Sequence, residues 1–164
     1  MIGMEQKEST FRTTPEKAAA RVSVNSVMIG SLFLILTLVF TLSPEKFNTL
    51  LMVQMVLAIP FLFVSSLAYA KIGYSGHWKE TKVWDGFAWF LNNLGNILIL
   101  NVIGLLTSTF SRSLAFVYFG LTLGLMLAYS SINIYYKPKS YAEKILKFLC
   151  FAVTMFLGGI LPLL

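Results

Sequence analysis

The stretch WFLNNLGNILILN, Trp89 to Asn101, decides how this chain is read. Its flanks are apolar enough for a lipid bilayer, yet Asn92, Asn93, Asn96 and Asn101 fall inside it. Hydrocarbon offers an amide no hydrogen-bond partner, so an amide facing lipid is costly. A helix carrying these side chains has to turn them toward protein or water.

The rest of the chain places that helix in a membrane. Of 164 residues, 57% are hydrophobic and 12% charged, against roughly 25% charged in soluble domains. So few charges cannot cover a water-facing exterior, and most of the surface must meet lipid. A spanning helix needs about 20 mostly apolar residues. Five segments qualify, at about 24–42, 50–70, 86–110, 114–134 and 145–161. The sequence therefore describes an all-α polytopic integral membrane protein. Residues 15–164 form one five-helix transmembrane domain, after a flexible cytoplasmic segment over 1–14. The link Ser111-Arg112-Ser113 is short enough to force the third and fourth helices into an antiparallel hairpin. Pro60 lies within the second span, where it is expected to kink the helix. Thr14-Pro15-Glu16 reads as N-cap, first-turn proline and first-turn acid, so the first helix should begin near Pro15. A polar leader of over twenty residues and the absence of a small-x-small cleavage signal argue against a signal peptide.

Basic residues set the orientation. Lys7, Arg12, Lys17 and Arg21 precede the first span. Lys71, Lys79 and Lys82 follow the second, and Lys137, Lys139, Lys144 and Lys147 follow the fourth. The other two loops carry only Lys46 and Arg112. Eleven of the 13 basic residues then lie on one side, which places the N-terminus in the cytoplasm and the C-terminus outside. Trp78, Trp84, Trp89, Tyr74, Tyr135, Tyr136 and Tyr141 cluster near the same face, as an interfacial belt does. The net charge of +6 belongs to these loops and implies no nucleic-acid partner. The expected location is the cell membrane, inner or plasma, as a multi-pass protein.

Little in the chain suggests catalysis. HExxH, GxSxG, paired cysteines and a Walker loop do not occur. His77 is the sole histidine and lies near Glu80 and Asp85. Those three resemble an acid/base or weak metal site in composition, but a solvated interfacial loop explains them as well. No catalytic residue, metal or cofactor is expected. Cys150 lies in the fifth span, where apolar surroundings make a thiol inert. The span centres lack acids and bases, which argues against an autonomous proton-coupled machine.

The asparagines remain. At 100° per residue, Asn92, Asn96 and Thr107 fall within about 60° of one another. Asn93 and Gly104 adjoin them, and Asn101 with Ser108 completes a polar half-circumference. Leu91, Leu94, Leu98, Val102 and Leu105 form the other half, available to lipid or an apolar neighbour. The amides then serve either as interhelical glue, at ~0.6–2 kcal/mol each, or as one wall of a conduit or pocket. Partners exist on other helices: Gln54 and Ser65 on the second, Gly30 and Ser31 on the first. The fourth has a GxxxG at Gly120 and Gly124 with Tyr118 and Thr122 beside it, expected to support close helix packing. Gly158, Gly159 and Pro162 are expected to loosen the end of the fifth helix.

Three functions fit these residues. The first is a small channel-like or transport-associated protein, oligomeric because five helices are few to surround a solute path. The second is a non-catalytic structural or accessory subunit that docks a larger membrane protein through the polar face. The third, least favoured, is an enzyme acting on lipid headgroups through the His77 loop. Besides the bilayer, the expected partner is a second copy or a larger membrane protein.

Overall fold

The computed structural model describes residues 13–42, 47–74, 78–136 and 141–164. Helix α1 spans Pro15–Leu42, α2 Thr49–Tyr74, α3 Trp78–Ser108, α4 Arg112–Tyr136 and α5 Tyr141–Met155. A π-helical turn, Phe156–Ile160, and a 3-10 turn, Leu161–Leu163, continue α5. No strand occurs among the described residues. Five helices are long and apolar enough to cross a membrane, the last from Lys144 to Leu163. Helix α1 starts at Pro15, as its cap sequence specifies, and the Lys17 N–H donates to Thr14 Oγ1 at 3.4 Å. Helix α2 continues unbroken through Pro60.

A seven-residue repeat organises the first three helices. On α1 the buried positions are Ala18, Asn25, Leu32 and Val39. On α2 they include Leu51, Met55, Ala58, Leu62, Ser65, Tyr69 and Ile72, alternately four and three residues apart. On α3 they include Ala88, Leu91, Leu98, Val102 and Leu105, with Gly95 completing the series. Such spacing keeps one stripe facing a partner helix in left-handed packing. The most extensive interface is α2 on α3, followed by α1 on α2. At its middle, Leu62 lies so close to Gly95 that a Cβ there would come within 2.8 Å of Leu62 Cδ2. One turn nearer the α2–α3 connection, Ser65 Oγ donates to the Ala88 carbonyl at 3.0 Å.

This repeat decides which way α3 faces. Its leucine side packs on α2 instead of meeting lipid, because Ala88 and Gly95 lie on that side. Small residues let helix backbones approach, and in a membrane that contact replaces the hydrophobic driving force. The asparagine side is left at the margin of the seam, where Asn92, Asn93 and Asn96 are half-buried.

Helices α4 and α5 cover a different face of α3. The hinge of that contact is Phe119, 1% exposed, which fills the space beside two glycines. A Cβ on Gly104 of α3 would overlap the Phe119 ring, and one on Gly159 would come within 2.5 Å of Phe119 Cε1. Of α4, only Ala115 and Phe119 are buried. The packing expected at Gly120 and Gly124 is not found among the described residues: a Cβ at either would meet none of them within 4 Å. Phe119 takes the inward direction and turns the adjacent Gly120, with Gly124 one turn on, outward. Gly30 on α1 is equally open.

Candidate functional site

Two polar clusters lie within the bundle, one at each end of the α2–α3 seam. The first includes Asp85, expected in a solvated interfacial loop. Asp85, near the start of α3, is only 6% exposed. Its carboxylate accepts the Thr13 N–H at 3.0 Å and the Thr13 hydroxyl at 2.5 Å. Arg21, one and a half turns into α1, donates to Thr13 Oγ1 at 3.3 Å and to the Tyr69 hydroxyl at 2.6 Å. The same guanidinium stands 4.9 Å from the centre of the Tyr69 ring, which is fully buried. A carboxylate on α3, a guanidinium on α1 and a phenol on α2 are thus joined through the residue that leads into α1. Thr13 is held by both Asp85 and Arg21. Below this cluster Asn25, 1% exposed, donates from Nδ2 to Ser66 Oγ at 3.2 Å. The Ser66 hydroxyl in turn donates to the Leu62 carbonyl at 2.8 Å.

A buried carboxylate held by charge-assisted hydrogen bonds is costly to remove, since its donors are left unpaired. Asp85→Ala is expected to lower the unfolding free energy by about 1.5–3 kcal/mol. It should also release Thr13 to proteolysis. Lys82→Ala, at an exposed position of the same helix, is expected to stay within about 0.5 kcal/mol. Thermal unfolding in detergent with limited proteolysis measures both, and equal losses in the two variants refute the role given to Asp85.

The second cluster is built around the irregular end of α5. In an α-helix the Gly158 carbonyl would accept from residue 162, but Pro162 has no N–H. The chain widens instead, and the Leu161 N–H reaches back to the Phe156 carbonyl in the π pattern. Gln54 of α2, 4% exposed, donates from Nε2 to the Gly158 carbonyl at 2.7 Å. Asn101 of α3, fully buried, donates from Nδ2 to the Thr154 carbonyl at 3.4 Å. Both amides present their NH2 groups to backbone carbonyls, which fixes their orientation. Their own oxygens, Gln54 Oε1 and Asn101 Oδ1, are buried and accept no hydrogen bond. A Cβ on Gly158 would strike Asn101 Nδ2 and approach Gln54 Oε1 to 3.1 Å, so only glycine leaves room for the two amides.

The four asparagines therefore do not form one surface. Asn101 reaches across to α5. Asn93 Nδ2 donates to the Trp89 carbonyl of its own helix at 2.6 Å. Thr107 and Ser108 likewise bond carbonyls of α3, those of Ile103 at 2.8 Å and Leu105 at 2.6 Å. Asn92 and Asn96 stay together on one face, and their carbonyl oxygens are buried without a hydrogen-bond donor. His77 lies outside the described residues. Asp85, its proposed neighbour, is engaged by Thr13.

Some of this was readable in advance. Asn25 falls on the seven-residue stripe Ala18, Asn25, Leu32, Val39, which marks an inward asparagine. Pro162 four residues after Gly158 marks a carbonyl in need of a donor. Nothing in the sequence pairs Arg21 with Tyr69, which lie 48 residues apart. In comparison with known proteins, no family model, curated protein or solved structure matches the chain.

Proposed function

We propose that this chain is an assembly subunit of the cell membrane, inner or plasma, with its N-terminus in the cytoplasm. Its work is to hold another transmembrane helix, from a larger membrane protein or from a second copy, against the outer face of α4. The observation that carries this reading is the open Gly120/Gly124 face. Ala128 extends it by one more turn, also exposed. Large apolar side chains suit lipid contact, whereas small residues at four-residue spacing give lipid little and give a helix a close approach. The buried amides support the same reading from inside. Gln54 and Asn101 are spent on bonding α5 to α2 and α3, the helices against which α4 is presented. The orientation rests on the eleven-to-two division of basic residues.

A second reading, a channel-like or transport-associated protein, draws on the Asn92 and Asn96 oxygens. Buried acceptors without donors suit water or a hydrogen-bonding solute passing along that side of α3. One pair of variants separates the two. Gly120→Ile with Gly124→Ile is expected to abolish co-purification of the partner, or dimerisation, while the detergent-solubilised chain keeps its helicity and thermal stability. Asn92→Leu with Asn96→Leu is expected to leave association intact. Retained association in the glycine variant defeats the assembly reading. Solute flux through liposomes containing the purified protein alone, lost in the asparagine variant, establishes the transport reading in its place.

A further inference from the structure

Where α2 ends and α3 begins, the bundle carries a partly open groove of about 730 Å³. Its size falls within the ~300–1,000 Å³ usual for small-molecule sites. Val64 and Leu67 of α2 and Trp84 and Phe87 of α3 form its walls. Trp84 meets Phe87 edge-on with ring centres 6.2 Å apart, which makes one side a continuous aromatic surface. From Val64 to Lys71 is about 10 Å along the helix axis. The groove thus runs from the basic end of α2 toward the bilayer centre.

Its mouth has a different chemistry. Lys71, in the last turn of α2, lines the groove and is exposed. It makes no hydrogen bond or ion pair with any described residue. Tyr74 stands one turn beyond it, 91% exposed. An apolar slot bordered at one end by an ammonium without a partner among the described residues and by an exposed phenol complements an anionic phospholipid. A docked helix fits it less well. At about 10 Å across it would bury the Lys71 ammonium, and the groove walls bring no carboxylate to meet it.

We propose that this groove binds an anionic phospholipid of the Lys71-side leaflet, one acyl chain against Trp84 and Phe87 and the phosphate on Lys71. The site lies away from the α4 face and does not depend on what α4 holds. Cationic pockets between membrane helices recognise such headgroups, and each basic residue near the surface contributes about a five-fold preference.

The test uses Trp84 as the reporter. The full chain with Trp78→Phe and Trp89→Phe is reconstituted in phosphatidylcholine vesicles containing phosphatidylglycerol brominated on its acyl chains. A parallel sample carries the bromine on phosphatidylcholine. Trp84 is expected to be quenched at about five-fold lower mole fraction by the brominated phosphatidylglycerol. Lys71→Gln should bring the two lipids level, and Lys71→Arg should restore the difference. Ala70→Phe, which fills the groove, should reduce quenching by both. Far-ultraviolet circular dichroism checks that each variant is folded. Equal quenching by the two lipids in the parent overturns the proposal, as does a preference indifferent to Lys71→Gln. Absence of quenching by either lipid overturns it as well, and shows that protein covers the groove.

Discussion

Phe119→Ala is expected to lower the unfolding free energy by about 2–3 kcal/mol, from a cavity cost of ~24 cal/mol per Å³ over about 100 Å³ of deleted ring. Part of the price familiar from soluble cores does not apply, because lipid chains are as apolar as the site the ring leaves. What is lost is contact. Phe119 fills the space between two helices whose surfaces there are glycine, Gly104 and Gly159. Neither can grow to refill the space, and the amide bonds from Gln54 and Asn101 hold α5 in place beside it. The reciprocal change should also be costly. Gly104→Ala puts a methyl group into the ring, and overpacking of this kind costs about 1–3 kcal/mol. Gly120→Ala is the control, since a Cβ there meets nothing within 4 Å. Its effect should stay within about 0.5 kcal/mol, or be slightly favourable because alanine is the better helix former. Unfolding in mixed detergent micelles reads all three. Comparable losses at Gly104 and Gly120 would show that Phe119 does not wedge the helices as described.

The contrast between those glycines bears on how a membrane sequence discloses its fold. Span number and the Pro15 start were legible because length, apolarity and capping are local properties. The polar residues of α3 were legible too, but not their separation into Asn101 against α5, Asn93 on its own helix and Asn92 with Asn96 on one face. Polarity alone left the leucine half two options, lipid or an apolar neighbour, and did not choose between them. In water a leucine stripe has to be buried, whereas in a bilayer it is content on either side. The deciding signal was the smallness of Ala88 and Gly95 within that stripe. The same signal misleads at Gly120, where only the neighbouring Phe119 shows which way the helix turns. Arg21 and Asp85 were read as solvated because both fall just outside the apolar spans. Their burial depends on Thr13 and Tyr69, which come together only through tertiary structure.

Gln54→Leu is expected to lower stability by up to ~2 kcal/mol, the upper range for an interhelical hydrogen bond in a membrane protein. The size of the effect comes from what stands at the other end. The Gly158 carbonyl is denied its α-helical donor by Pro162, and the Gln54 amide donates to it instead. Removing that amide leaves a carbonyl in an apolar interior with no substitute. This account makes a prediction that simple packing does not. Pro162→Ala restores an N–H at the position where Gly158 would ordinarily find one. In that background α5 can close its own ladder, and Gln54→Leu should cost less than about 0.5 kcal/mol. The double-mutant cycle should therefore give a coupling of about 1–1.5 kcal/mol between residues that belong to different helices. Purely additive losses would mean that Gln54 contributes by filling space. In that case the π turn owes its shape to Phe119 and the two glycines alone.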